Sequence, residues 1–293
     1  MPHAQNIELR QLTTFRIGGT PSFYSRPRSY DELAEALGEC RRRNLPFRVL
    51  GGGSNLLVDE GRLPFAVIHV CSPAFDWVRR ADEGSLRVGA GTRVSALLRR
   101  CQELGLGGLE FMAGIPGTVG GAVCGNAGAW GACMGDRISR TWSWDCGQEE
   151  LLPSGTDELS FGYRHAELPG DVVTEVEFHL TPRSPDLIRE QMRSNIRKKR
   201  AHQPTGDPNA GCVFRNPEDE SAGKLLDLCG LKGSQVGGAV VSTDHANFIC
   251  NTDGASAREV LELIETMQQE VRSRFGVELK LELKHWGADT RVA

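Results

Sequence analysis

The sequence contains no apolar run approaching the roughly 20 residues a membrane-spanning helix requires, so no segment reads as transmembrane. It also lacks an excess of charge of one sign. The formal net charge is −4, which gives no electrostatic reason to expect nucleic acid or an anionic membrane as a partner. C-x-x-C pairs are absent, and the nine cysteines form an odd set scattered from Cys40 to Cys250. That pattern argues against a disulfide framework and a zinc site. It leads to an expectation of no metal and of reduced thiols in a cytoplasm, most of them small buried hydrophobes. Internal repeats and low-complexity tracts are missing too. The polar N-terminus, with Glu8 within it, does not read as a secretory signal.

What is present is a chain of 293 residues, enough for about two domains of roughly 100–200 residues each. Its 39% hydrophobic and 25% charged residues are ordinary for a protein that buries a core. The unusual figure is 35 glycines. They cluster, which suggests backbone approaching a ligand. A helix is expected from Ser29 to Cys40, with Ser29 and Glu32 as a capping box and Leu33, Ala36, Leu37 and Cys40 as its apolar stripe. Phe47–Leu50, Ala66–Val70 and Leu86–Val88 read as strands, followed by a helix carrying Val94, Leu97, Leu98, Cys101 and Leu104. Trp142–Trp144 and Val172–Leu180 also read as strands. A boundary is expected near residue 183, where Ser184 and Pro185 can open a helix that ends in the basic run Arg197–Arg200. A short helix over Ala222–Cys229 is closed by Gly230. Strands over Ala239–Val241 and Phe248–Cys250 follow. Ser256 and Glu259 open a last helix whose stripe runs from Val260 to Phe275, ended by Gly276. Val277, Leu279, Leu281 and Leu283 alternate with charged residues as a final strand should. The pattern is mixed α+β.

Two glycine loops carry the chemistry. Gly51, Gly52, Gly53, Ser54 and Asn55 follow a strand directly, so their backbone N–H groups can converge on an anion such as a pyrophosphate. Leu56 replaces the third glycine of a G-x-G-x-x-G fingerprint, and no Gly-Lys-Ser/Thr follows, so neither a Rossmann turn nor a P-loop is present. On its residues alone this loop also fits a tight turn. The second loop runs through Gly114, Ile115, Pro116, Gly117, Thr118, Val119, Gly120, Gly121 and Ala122, and continues with Asn126, Ala127 and Gly128. A packed core has no need of so many glycines; a large flat or charged ligand against the backbone accounts for them, and on residues alone so does a glycine-rich crossing between elements.

The ordered series Thr13–Gly19, Gly51–Asn55, Gly114–Ala122, Asn126–Gly128, Phe161–Arg164, Gly211–Pro217, Ala222–Leu225, Leu231–Gly233 and His245–Phe248 resembles the UDP-N-acetylenolpyruvoylglucosamine reductase (UDP-N-acetylmuramate dehydrogenase, MurB) family, from about Leu12 to Gly287. The resemblance implies an α+β fold: an FAD-binding domain of the vanillyl-alcohol-oxidase (PCMH) type in two subdomains, 1–70 and 71–183, then a substrate-binding α+β domain, 184–293. It implies an FAD enzyme, with non-covalent FAD and NADPH as co-substrate. The reaction is reduction of an enolpyruvyl UDP-sugar during peptidoglycan synthesis, with hydride to C3 and a proton to C2. The expected partners are small molecules only, and the expected state is a monomer. The stretch between Arg164 and Cys212 contains no tyrosine, so the chain resembles the short form without the tyrosine-loop insertion.

Carried over residue by residue, the resemblance places Arg164, Cys212 and Glu282 in the chemistry. Arg16, Gly51–Asn55, Gly114–Thr118, Gly120, Gly121 and Asn126–Gly128 fall at the cofactor, and Tyr163, Arg200 and Asn216 at the substrate. An arginine fork suits a carboxylate. Cys212 stands where most relatives have a proton-donating serine, and Lys280 where they often carry a second glutamate. On residues alone Arg164 could equally be a surface arginine, Glu282 part of a solvated strand face, and Arg197–Arg200 a helix terminus. Rival readings are another flavin oxidase of the same fold, a thiol hydrolase using Cys212 with His202 or His245, and a non-catalytic flavin binder.

Overall fold

Short extended segments separated by turns dominate the first half of the chain, and a computed structural model describes residues 7–287. β1 (Thr20–Ser25) leads to α1 (Tyr30–Arg42), β2 (Phe47–Leu50), β3 (Leu56–Val58) and β4 (Arg62–His69). β5 (Val78–Asp82) and β6 (Ser85–Gly89) precede α2 (Val94–Leu104) and the short α3 (Val119–Cys124). Next come β7 (Ile138–Asp145), β8 (Glu150–Gly155), β9 (Ser160–Gly162), β10 (His165–Glu167) and β11 (Val172–His179). The last third runs α4 (Pro185–Arg200), β12 (Asn209–Cys212), α5 (Ala222–Leu228), β13 (Gln235–Val236) and β14 (Ala239–Val241). β15 (Phe248–Asn251), α6 (Ala257–Phe275) and β16 (Lys284–Trp286) complete it.

Helix starts follow their caps. The Ser29 hydroxyl accepts from Glu32 N at 3.1 Å, and Leu33, Ala36, Leu37 and Cys40 are buried. Glu32 does not close the expected box. Its carboxylate takes the Arg28 N–H at 2.8 Å, because the Arg28 guanidinium already holds it there. In α6 the box is complete: Ser256 Oγ accepts from Glu259 N, and Glu259 accepts from Ser256 N at 2.9 Å. Gly276 ends α6 at φ 69°, which glycine adopts without a Cβ clash. Phe275 is 41% exposed and leaves the stripe, since α6 outruns the core it covers.

Two compact units emerge. One holds Phe23–Gly52 and Ala66–Lys199; the other holds the described residues up to Ser22, Gly53–Phe65 and those from Arg200 onward. This division differs from 1–70, 71–183 and 184–293, and hydrogen bonding explains why. β3 pairs in parallel with β16, Leu56 opposite Lys284, so the early segment is stitched to the C-terminal part. α4 stays with the first unit, where Asn195 Nδ2 donates to the Glu110 carbonyl at 2.8 Å and Ile188 is buried.

In the first unit, α1 packs Leu33 and Leu37 with Phe23 and Ile68 of the sheet ordered β1–β4–β2, in which β2 and β4 are parallel. An antiparallel five-stranded sheet, β8–β7–β11–β6–β5, supplies Leu86, Val88, Val176 and Phe178 to a core shared with Leu97 and Val119. The second unit sets α5 and α6 with the antiparallel sheet β12–β15–β14–β13, through Leu226, Val241, Ile249, Val260 and Met267.

The expected strand over Val277–Leu283 is only partly regular. Leu279 and Leu283 are buried and Glu278 and Lys280 exposed, as alternation requires. The backbone pairs only at the single bridge Phe214↔Leu281 before turning to join β3. All nine cysteines are free thiols, but Cys40, Cys101, Cys229 and Cys250 alone are buried, with Cys124 exposed. The expectation that most are buried fails because the rest sit at element ends and loops rather than on apolar stripes.

Candidate functional site

The two glycine loops meet within the first unit. A Cβ on Gly51 would lie 2.3 Å from Thr118 Oγ1, and one on Gly52 would lie 2.6 Å from Gly117 Cα. Both are distances real Cβ atoms do not reach, so two backbones pass where any side chain would separate them. Gly114 and Gly117 take φ of 81° and 123°, open to glycine and costly for other residues. Backbone bonds pin the start of α3: Val119 N to Thr92 O and Gly120 N to Ala90 O, both 2.8 Å. Thr118 Oγ1 is buried and has no hydrogen-bond partner among the described residues. A buried hydroxyl without a partner costs roughly 1–3 kcal/mol, and a ligand acceptor or donor at the glycine cradle removes that cost.

A histidine that sequence reading passed over holds the first loop. His69 Nε2 lies 3.1 Å from the Gly51 carbonyl, and Nδ1 lies 2.7 Å from Tyr24 Oη. The neutral tautomer with hydrogen on Nε2 satisfies both, donating to Gly51 and accepting from tyrosine. Burial, aided by the Arg26 charge, pushes His69 down to about 4, and burial raises Tyr24 to about 12. The only sequence signal was a histidine ending the strand that pairs beside Leu50.

Arg164 sits in the two-residue turn between β9 and β10, after Tyr163, with φ 55°. A bulky residue in the left-handed region costs of order 1–3 kcal/mol and marks a held geometry. Its Nη2 donates to the Gly128 carbonyl at 3.2 Å, and its guanidinium lies 5.2 Å from the Tyr163 ring. Tyr163 is 55% exposed. Asn126 is buried, and both ends of its amide are used: Nδ2 donates to Gly162 O at 2.8 Å and Oδ1 accepts from Gly135 N at 2.9 Å. That side chain therefore faces protein backbone. Gly128 begins a tight hairpin to Cys133 with Trp130 exposed at its tip, where Lys198 lies 5.4 Å from the ring.

The remaining residues lie in the second unit. Gly53 takes φ 62°, and a Cβ there would meet the Leu12 carbonyl at 2.1 Å. Asn55 Nδ2 donates to the Glu282 carbonyl at 3.1 Å, so the end of the first loop, including Ser54, is tied to the segment that carries Glu282. Glu282 N in turn donates to Val213 O at 2.8 Å. Cys212, at the end of β12 after Gly211 at φ 82°, directly precedes Val213, the residue bonded to Glu282. Both side chains are half-buried. Asn216 Oδ1 accepts from Ala222 N at 3.1 Å at the start of α5, and Asn247 holds Phe214 through both backbone groups. Arg200 is exposed at the end of α4. Arg16, at φ 57°, lines a cleft of about 690 Å³ with Arg10, Glu60 and Arg62. Among the described residues no cluster could hold a metal ion.

A family model described as the C-terminal domain of UDP-N-acetylenolpyruvoylglucosamine reductase matches residues 203–286, and one described as an FAD binding domain matches 21–141. A UDP-N-acetylenolpyruvoylglucosamine reductase of Moorella thermoacetica is 42% identical over 286 residues, 96% of this chain and 92% of that protein. The chain belongs to the UDP-N-acetylenolpyruvoylglucosamine reductase family. A reductase of the same name from a Synechococcus species is 39% identical over 98% of this chain and 94% of its own. The crystal structure of the reductase (MurB) from Thermus caldophilus matches with a TM-score of 0.81 at 36% identity, over 96% of this chain and 98% of that one. The fold is therefore that of this reductase family: an FAD-binding domain of the PCMH type with an α+β C-terminal domain. FAD fits the residues present. The matched FAD-binding segment contains the side-chain-free cradle at Gly51, Gly52 and Gly117 and the unpartnered Thr118 hydroxyl.

Proposed function

We infer that this chain reduces UDP-N-acetylglucosamine enolpyruvate to UDP-N-acetylmuramate with electrons from NADPH, as an FAD-dependent oxidoreductase, and that Arg164, Cys212 and Glu282 carry the chemistry. The observation that supports the residue assignment best is the 2.8 Å bond from Glu282 N to Val213 O, which puts the proposed proton donor and the glutamate on neighbouring segments of one unit.

FAD, when bound, would supply the hydride chemistry that links NADPH to the enolpyruvyl C3. Gly51, Gly52, Gly114, Gly117 and Gly121 would hold it through backbone N–H groups and Thr118 through its hydroxyl, with Ile115, Pro116 and Gly120 lining the same site. Gly53, Ser54, Asn55, Arg16, Ala127 and Gly128 remain our assignments at the same cofactor. Reduction at C3 leaves negative charge at C2 that spreads into the adjacent carboxylate. Arg164, preset by its turn, offers a fixed fork to that carboxylate and stabilises the charge as it grows. Cys212 then gives its thiol proton to C2. A thiol is a stronger acid than the serine hydroxyl most relatives carry, and it donates only while protonated. Glu282 orients the reacting group from the neighbouring segment. Tyr163, Arg200 and Asn216 contact the UDP-sugar in this reading, Asn216 while also capping α5.

The product is a peptidoglycan precursor, so the reaction serves cell-wall biogenesis, and through it cell shape, the cell cycle and division. A cytoplasmic monomer acting on small molecules suits such a step, and no described helix is long and apolar enough to cross a membrane. The test is an anaerobic absorbance experiment on FAD-loaded protein. NADPH should bleach the flavin band, and UDP-N-acetylglucosamine enolpyruvate should restore it. Bleaching without restoration would move the substrate to that of another flavin oxidoreductase. Failure to bind FAD would sink the reading.

A further inference from the structure

We propose that Asn126 is a positioning residue for Arg164, acting on the half-reaction with the enolpyruvyl sugar and not on the cofactor. This inference rests on the function proposed above. It departs from the cofactor role that the resemblance gave Asn126. That side chain is 4% exposed, and its amide is satisfied at both ends by backbone of the same unit.

The two bonds link particular places. Gly162, whose carbonyl accepts from Asn126 Nδ2, is the residue paired with His165 across the Tyr163–Arg164 turn. Gly135, whose N–H donates to Oδ1, lies just past the hairpin whose Gly128 carbonyl accepts from Arg164 Nη2. Asn126 therefore ties the base of the arginine's turn to the loop that receives the arginine's head. Phe161 seals the same joint: a Cβ on Gly135 would fall 2.5 Å from its ring. Asn126 itself takes φ 39°, which asparagine tolerates better than most residues. With Arg164 at φ 55°, a two-residue turn holding a long cation needs an outside anchor, and the amide supplies one. An arginine that must meet a carboxylate in two-point geometry loses rate steeply when displaced, about 100-fold for a misplacement of about 1 Å.

The experiment is stopped-flow measurement of both half-reactions on FAD-loaded Asn126→Asp, which keeps the acceptor for Gly135 N–H and loses the donor to Gly162. The expected result is NADPH bleaching within about twofold of wild type and reoxidation by UDP-N-acetylglucosamine enolpyruvate slowed by about 10- to 100-fold. In an Arg164→Ala background the same change should slow reoxidation no further, since both remove one function. Unchanged reoxidation, additive effects, or loss of FAD and of bleaching together would overturn the proposal, the last returning Asn126 to the cofactor. If Asn126→Asp does not fold, Gly135→Ala presses Phe161 from the other side of the joint and must give the same split; equal slowing of both halves would overturn it. A wild-type protein that bleaches but is not reoxidised by this sugar would instead remove the functional reading, and the proposal with it.

Discussion

Cys212 and Gly52 make the proposed function testable one atom at a time. If Cys212 protonates C2, Cys212→Ala should leave NADPH bleaching intact and slow turnover by about 100-fold or more, since general acids contribute 10²–10⁴-fold. Cys212→Ser should restore most of it. Rapid-mixing kinetics with the enolpyruvyl sugar check both, and wild-type turnover by Cys212→Ala would exclude the thiol. Gly52 is a different case, because its role is to be absent. The nearest atom to a Cβ there is Gly117 Cα at 2.6 Å, a backbone atom that cannot rotate away. Gly52→Ala should therefore cost about 1–3 kcal/mol, the usual range for forced overpacking, and lower FAD content. Thermal melts and the flavin-to-protein absorbance ratio measure the two effects.

At the scale of elements, the strand end at His69 controls the first glycine loop. Its folded-state value of about 4 lies below the ordinary 6.5. Between those values the unfolded chain binds a proton that the folded one refuses. The contribution is complete above pH 6.5 and is lost as pH falls toward 4, up to about 3 kcal/mol in all. A proton on Nδ1 also removes the acceptor for Tyr24. We expect FAD release and reduced denaturant midpoints below pH 6.5, both blunted in His69→Gln. Fluorescence of released flavin across a pH series decides it; a flat profile between pH 6.5 and 4 would show that His69 does not hold the loop.

For the molecule as a whole, thiol accessibility reports the packing. Burial raises Cys40 and Cys250 to about 11 and Cys101 to about 12. At mildly alkaline pH a disulfide reagent should reach exposed Cys124 first and these three only on unfolding, when all nine react. Early modification of Cys101, read by mass spectrometry, would contradict the packing of α2. The sequence by itself determined the helices, since Ser29, Ser256, Pro185 and Gly276 act on neighbours a few residues away and apolar stripes need only periodicity. It also determined the family and the order of its motifs, and the assignment of Arg164, Cys212 and Glu282 to the chemistry rests on that resemblance. Tertiary structure alone decided the rest. The parallel pairing of Leu56–Val58 with Lys284–Trp286 drew residues 53–65 into the C-terminal unit, and no local pattern announces a partner more than two hundred residues away. It also removed the regular strand from Val277–Leu283, gave Asn126 and Asn216 backbone partners, and placed His69 against Gly51. Each of these is a bond between groups far apart in the chain, and the energy that fixes such a bond exists only once packing has excluded water around it.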